Sequence, residues 1–90
     1  MDNARLILYS KPGCHLCEGL HEKLSALQLP VTLEVRDITT QADWWERYRY
    51  EIPVLHLQTA EGTRAIPRFS PRASATRVGQ ILQRYMVEQS

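Results

Sequence analysis

The chain has two cysteines, and both lie in the stretch Lys11-Pro12-Gly13-Cys14-His15-Leu16-Cys17. Two thiols at this spacing can close into a disulfide or hold a soft metal ion together. A thiol acts as a nucleophile only as its thiolate. At a helix N-terminus, the unsatisfied N–H groups and the positive end of the helix dipole stabilise that anion. Thiols in such settings ionise at roughly pH 3.5–7.5. The residues before Cys14 read as a strand and those after it as a helix, so Cys14 falls at the handover and Cys17 one turn inside. Cys14 is therefore expected to be the exposed, acidified thiol, and Cys17 the more buried and ordinary one. That asymmetry assigns roles: Cys14 attacks a substrate disulfide, and Cys17 then attacks Cys14 to release the reduced product.

The neighbouring residues bear on this chemistry. Lys11 either adds positive charge near Cys14 or is a solvated loop lysine, and the residue types weigh the two equally. His15, between the thiols, is read as tuning the thiolate rather than as a passive surface residue. Cys17 and His21 are four apart on one helical face, so a metal site has to be weighed. Together with Cys14 they supply three ligands where a closed zinc site takes four, and the facing of His56 on its strand is undetermined. Covalent haem attachment needs a histidine directly after the second cysteine, where Glu18 stands.

The elements that would position these groups follow from periodicity. Residues 5–9 (Arg-Leu-Ile-Leu-Tyr) are an almost continuous apolar run, ended by Ser10 and Pro12-Gly13, and read as a strand buried on both faces. Leu16, Leu20, Leu24 and Leu27 recur at helical spacing, and Pro30 is read as the stop. Val31, Leu33 and Val35 alternate with polar residues as a second strand running into Asp37-Ile38. Thr39 or Thr40 is the expected cap of a short second helix over Ala42–Tyr48. Ile52–Leu57 reads as a third strand opened by Pro53. Glu61-Gly62 is a hairpin turn, with Thr63–Ile66 as the fourth strand. Ser70-Pro71 predicts the start of a last helix, striped by Val78, Ile81, Leu82, Tyr85 and Met86. The order is β-α-β-α-β-β-α. The crossover helix makes the first two strands parallel. The expectation is an α/β chain with a four-stranded mixed sheet and helices on both faces.

Bulk properties narrow the function. Ninety residues suit one domain, read as spanning 1–90, with an ordinary apolar fraction of 43% and charged fraction of 23%. Eleven Lys and Arg against ten Asp and Glu leave a formal charge of +1, which argues against a nucleic-acid footprint or a polybasic membrane patch. The arginines of the last third read as a solvated face. The N-terminus lacks the pattern of a secretory signal, and no apolar run approaches the roughly 20 residues of a membrane span. The expected location is the cytoplasm, where an isolated cysteine pair is more often catalytic or metal-binding than structural.

The Cys14-His15-Leu16-Cys17 motif after an apolar strand, the later Ile52-Pro53-Val54 and the element order together resemble the thioredoxin superfamily, glutaredoxin branch. The similarity is greatest to the small glutaredoxin-like family often filed as a domain of unknown function, and it covers nearly the whole chain. The resemblance implies a thioredoxin-like fold in which Pro53 is cis, faces the cysteines and shapes the substrate groove. It further implies that the backbone of Ile52 pairs with an extended substrate and that Lys11 contacts a bound thiol. Two departures stand out. The pair between the cysteines is His15-Leu16, where glutaredoxins usually have Pro-Tyr. The glycine pair that helps hold glutathione has no counterpart in Ile66-Pro67-Arg68-Phe69-Ser70-Pro71, although Arg68 offers a cation there. No cofactor is expected, and glutathione stays open as a co-substrate. Trp44, Trp45, Tyr48 and Tyr50 either rim a groove or, the favoured reading, cover the core. The expected activity is thiol–disulfide exchange by a monomer, with Cys14 and Cys17 catalytic and Lys11, His15, Ile52 and Pro53 on the substrate side. Its expected partners are a protein or small-molecule disulfide and a reductant. The alternatives are a metal or iron–sulfur carrier and a redox-inactive binding module of the same fold.

Overall fold

The computed structural model describes residues 4–88. Four strands, β1 (Arg5–Ser10), β2 (Thr32–Asp37), β3 (Val54–Thr59) and β4 (Gly62–Ile66), form one sheet in the order β2-β1-β3-β4. The helices are α1 (His15–Ala26), α2 (Ala42–Tyr48) and α3 (Ala75–Glu88), with a short 3-10 turn over Ile38–Thr40. As the crossover requires, β1 and β2 are parallel, while β3 runs antiparallel to β1 and β4 antiparallel to β3.

The apolar run of β1 is explained by its place. It has a strand on each side and a packed layer on each face, so Leu6, Ile7, Leu8 and Tyr9 are all buried. The register sets Leu6 opposite Leu57 and Leu8 opposite Leu55, and these four share one face with Ile66. Leu24 of α1 and Val78 and Leu82 of α3 close that core. Each such side chain contributes about 1.5–3 kcal/mol by leaving water. On the other face, Ile7 and Tyr9 meet Ile38 and Tyr48, with Trp44 packed alongside. Helices thus lie on both faces, α1 and α3 on one and α2 on the other.

Several boundaries differ from those the sequence predicts, and the reasons are local. Helix α1 ends before Pro30, where the Leu27 N–H turns back to the Leu24 carbonyl. Neither Thr39 nor Thr40 caps α2. Asp37 instead caps the 3-10 turn, accepting from the Thr39 N–H at 2.9 Å, and Gln41 precedes α2 without a side-chain bond. The third strand begins at Val54, leaving Ile52 and Pro53 outside the ladder. The last helix does not begin at Ser70-Pro71. Ser70 organises a tight turn, accepting from the Arg72 N–H on its hydroxyl and the Ala73 N–H on its carbonyl. Ser74 is the cap of α3, with the Arg77 N–H donating to its Oγ at 3.1 Å.

Candidate active site

Lys11, Pro12, Gly13 and Cys14 form a β-turn closed by the Cys14 N–H donating to the Lys11 carbonyl at 3.3 Å. Gly13 has φ +81, the conformation a type II turn requires after proline and one that a residue with a Cβ rarely adopts. The turn delivers Cys14 to the cap position of α1 with extended φ and ψ of −89 and 103. There the Cys17 N–H donates to Cys14 Sγ at 3.2 Å, and the Glu18 N–H to the Cys14 carbonyl at 3.0 Å. Cys14 therefore occupies the position a serine or aspartate cap would take, with a helix N–H aimed at its sulfur.

Cys14 and Cys17 are joined as a disulfide, with Cα atoms 5.2 Å apart. Cys17 is 2% exposed, whereas Cys14 is only half-buried. The burial order is the one expected from their places on the helix.

The flanking residues divide into two sides. On the α2 side, the Lys11 ammonium lies 5.8 Å from the centroid of the Trp45 ring, a cation–π contact. Tyr48 is buried against Tyr9 with ring centroids 4.3 Å apart, and Trp44 meets Tyr9 edge-on. These two belong to the core, while Tyr50 is exposed on the surface. His15 projects into solvent and pairs loosely with Glu18 at 3.7 Å. His21 is exposed. His56 lies beneath α2 against the rings of Tyr9 and Tyr48. Its burial, helped by the charges of Arg36 and Arg47, holds the imidazole below its ordinary ionisation range. None of the three histidines joins the cysteines in a ligand set. Among the described residues no group of three or more His, Cys, Asp or Glu is placed to hold a metal ion.

The other side carries a pocket of about 300 Å³ between α1 and the segment joining β4 to α3. His15 and Pro53 both line it. The Ile52–Pro53 peptide is cis. Ile52 does not present a free N–H, because it donates to the Tyr48 carbonyl at 3.1 Å, and its carbonyl accepts from Arg68 Nη2 at 3.2 Å. Arg68 Nη1 donates to the Glu51 carbonyl at 3.2 Å, so one guanidinium holds two successive carbonyls before the proline. Lys23 ties the same segment to α1 through the Pro71 carbonyl at 3.0 Å.

The sequence flags Arg68 as a cation near a thiol ligand, but its bonding to residues 51 and 52 spans 16–17 positions and has no local signal. Leu20 and Phe69, which help form the pocket, are not marked as its lining by the sequence, where Leu20 reads as part of the α1 stripe and Phe69 only as apolar.

The family model described as "Glutaredoxin-like domain (DUF836)" matches residues 5–83. The chain belongs to this glutaredoxin-like family. Its topology is thioredoxin-like, with the Cys14–Cys17 pair at the start of the first helix. Among solved structures, one titled "Structure of a malarial protein" superposes with a TM-score of 0.59 at 9% identity, covering 91% of this chain and 96% of that one. At that identity the likeness speaks for the fold alone. A glutaredoxin-like domain carrying a closed Cys-x-x-Cys pair fits a redox role.

Proposed function

We propose that this chain is a dithiol–disulfide oxidoreductase. The observation that carries the reading is the placement of Cys14 as the cap of α1, half-open to solvent, directly bonded to a buried Cys17. In the reduced protein the Cys14 thiolate attacks one sulfur of a substrate disulfide, forming a mixed disulfide and expelling the other half as a thiolate that takes up a proton. Cys17 then loses its proton and attacks Cys14 Sγ, closing the disulfide described above and releasing the second substrate thiol. Two electrons pass from the dithiol to the substrate. A low-molecular-weight thiol or a dithiol protein returns them by the reverse exchange. The cap N–H and the helix terminus favour the charged form of Cys14 in the first step, and its exposure admits the substrate.

Reduction of a mixed-disulfide substrate by wild type, Cys14→Ser and Cys17→Ser tests this. Wild type should turn over, Cys14→Ser should be inert, and Cys17→Ser should accumulate a stable mixed disulfide on Cys14. Equal rates in wild type and Cys14→Ser would refute the assignment.

A further inference from the structure

We propose that the pocket beside the disulfide is a side-chain subsite for an extended protein segment that carries a large apolar residue next to a carboxylate. This deepens the oxidoreductase reading and rests on it for its place in the reaction.

Three observations lead to this occupant. First, the pocket adjoins the chemistry, since its lining includes His15 and Leu16 from between the two cysteines and the cis Pro53. Leu16 is 49% exposed there, an apolar side chain left at the mouth when the rest of the α1 stripe turns inward. Leu20, Leu55, Ile66 and Phe69 supply an apolar interior. At about 300 Å³ the space is at the small end for ligand sites, which suits one or two large side chains rather than a folded element.

Second, the rim has one sign of charge. Lys23 and Arg68 line the pocket, and no Asp or Glu does. Each is oriented by backbone carbonyls, Arg68 through two and Lys23 through one. A guanidinium has five N–H donors and an ammonium three, so both keep donors for an incoming carboxylate. Holding the side chains in place beforehand lowers the ordering cost of binding.

Third, the main-chain groups of Ile52 are already bonded within the protein, the N–H to Tyr48 and the carbonyl to Arg68. A segment crossing Pro53 cannot take the Ile52 N–H as a strand partner without breaking these contacts. Recognition therefore shifts from backbone pairing to the side chain that enters the pocket.

The test uses oxidised wild-type protein and cysteine-free peptides, so that binding is read without any disulfide exchange. A peptide containing Leu-Asp should shift the backbone amides of Gly19, Ile66 and Phe69 in an NMR titration. Replacing its Leu by Gly should weaken binding about tenfold, the effect of losing one partly buried large side chain. Replacing Asp by Lys should weaken it about threefold, as expected for an exposed ion pair. Arg68→Glu, at an exposed position, should reverse the Asp-over-Lys order, and Arg68→Gln should abolish the difference while keeping the preference for Leu. Equal affinity for all three peptides, or shifts centred away from these amides, would overturn the proposal. So would a glutathione disulfide that shifts the same amides while the Leu-Asp peptide does not. A protein that binds the peptide but reduces no disulfide would leave the pocket assignment standing and remove the oxidoreductase reading. One that reduces disulfides without discriminating the peptides would do the opposite.

Discussion

The N–H of residue 17 that reaches Cys14 Sγ should make Cys14 a stronger acid in the reduced protein, and the size of the effect can be worked out. Cys17→Ala removes the second thiol while keeping that N–H, so Cys14 becomes the sole thiol of the chain. A hydrogen bond to a charged acceptor contributes about 1.5–3 kcal/mol and one to a neutral acceptor about 0.5–1.5, a difference near 1 kcal/mol in favour of the thiolate. A charge at a helix N-terminus adds about 0.3–1 kcal/mol. Lys11 is left out of the sum because its ammonium sits over Trp45. The total, roughly 1.3–2 kcal/mol, corresponds to an acid dissociation constant about 10- to 30-fold larger than in the unfolded chain. Thiolate absorbance followed through a pH titration, in buffer and in denaturing urea, measures this ratio directly. Linkage supplies an independent check. A thiol ionising at lower pH when folded adds stability that is complete above its unfolded value, near pH 8.5, and is lost as pH falls through the folded value. The unfolding free energy of Cys17→Ala should therefore exceed that of the double variant Cys14→Ala, Cys17→Ala by about 1.3–2 kcal/mol more at pH 9 than at pH 6. Coincident titrations in folded and unfolded protein would refute the cap argument and the nucleophile assignment built on it.

Two further predictions address the fold around the site. Ser74→Ala should cost about 1 kcal/mol by removing the cap of α3, which lowers Tm by about 4–8 °C in a chain of this size. Ser70→Ala removes only a turn contact and should cost clearly less, so thermal unfolding that ranked the two the other way would place the helix start at Ser70 after all. His56 titrates below its usual value of 6.5 because it is buried under α2 near Arg36 and Arg47. The unfolded chain therefore binds its proton more readily, and stability should be full above about pH 6.5 and decline as pH falls below it. His56→Gln should flatten that decline in urea unfolding between about pH 6.5 and 5, above the range where Glu34 and Asp37, both held below their ordinary values by hydrogen bonds, begin to protonate. An unchanged slope would remove His56 as its source.

What the sequence reveals and what it conceals both follow from range. The apolar run of residues 6–9 reads as a strand with layers on both faces, and the structure gives it both layers and a central place in the sheet. Cys14 and Cys17 are legible as a pair because their relation is local, a turn and one helical turn. Helix caps are less so. Ser70-Pro71 and Ser74 offer similar local chemistry, and the choice between them is made by where β4 ends and where Val78 and Leu82 must reach the core. The spacing of Leu16 with Leu20 and Leu24 reads as a helix stripe, yet only Leu24 of the three is fully buried and Leu16 faces the pocket mouth. From its neighbours Arg68 reads only as a cation near a bound thiol, and its bonds to the chain have no local signal. Its partners are the carbonyls of residues 51 and 52, which lie just before β3, while Arg68 follows β4 across the β3–β4 hairpin.

The same contrast in range separates the chemistry from the recognition. The Cα atoms of Cys14 and Cys17 lie 5.2 Å apart, inside the window of about 4.4–6.8 Å in which a disulfide opens and closes without moving backbone. Cys14 is fixed by the turn through Lys11 and Gly13, and Cys17 by burial in α1, so neither cysteine is positioned by the pocket wall. That wall is held from elsewhere, by Lys23 on Pro71 and by Arg68 on residues 51 and 52. If the proposed exchange reaction holds, its nucleophile is set by a local motif of seven residues, whereas the choice of partner is set by long-range contacts that can vary independently of it. Chains sharing the Lys11–Cys17 stretch would then share the exchange reaction, and differences at the positions of Leu20, Arg68 and Phe69 would redirect it to other disulfides.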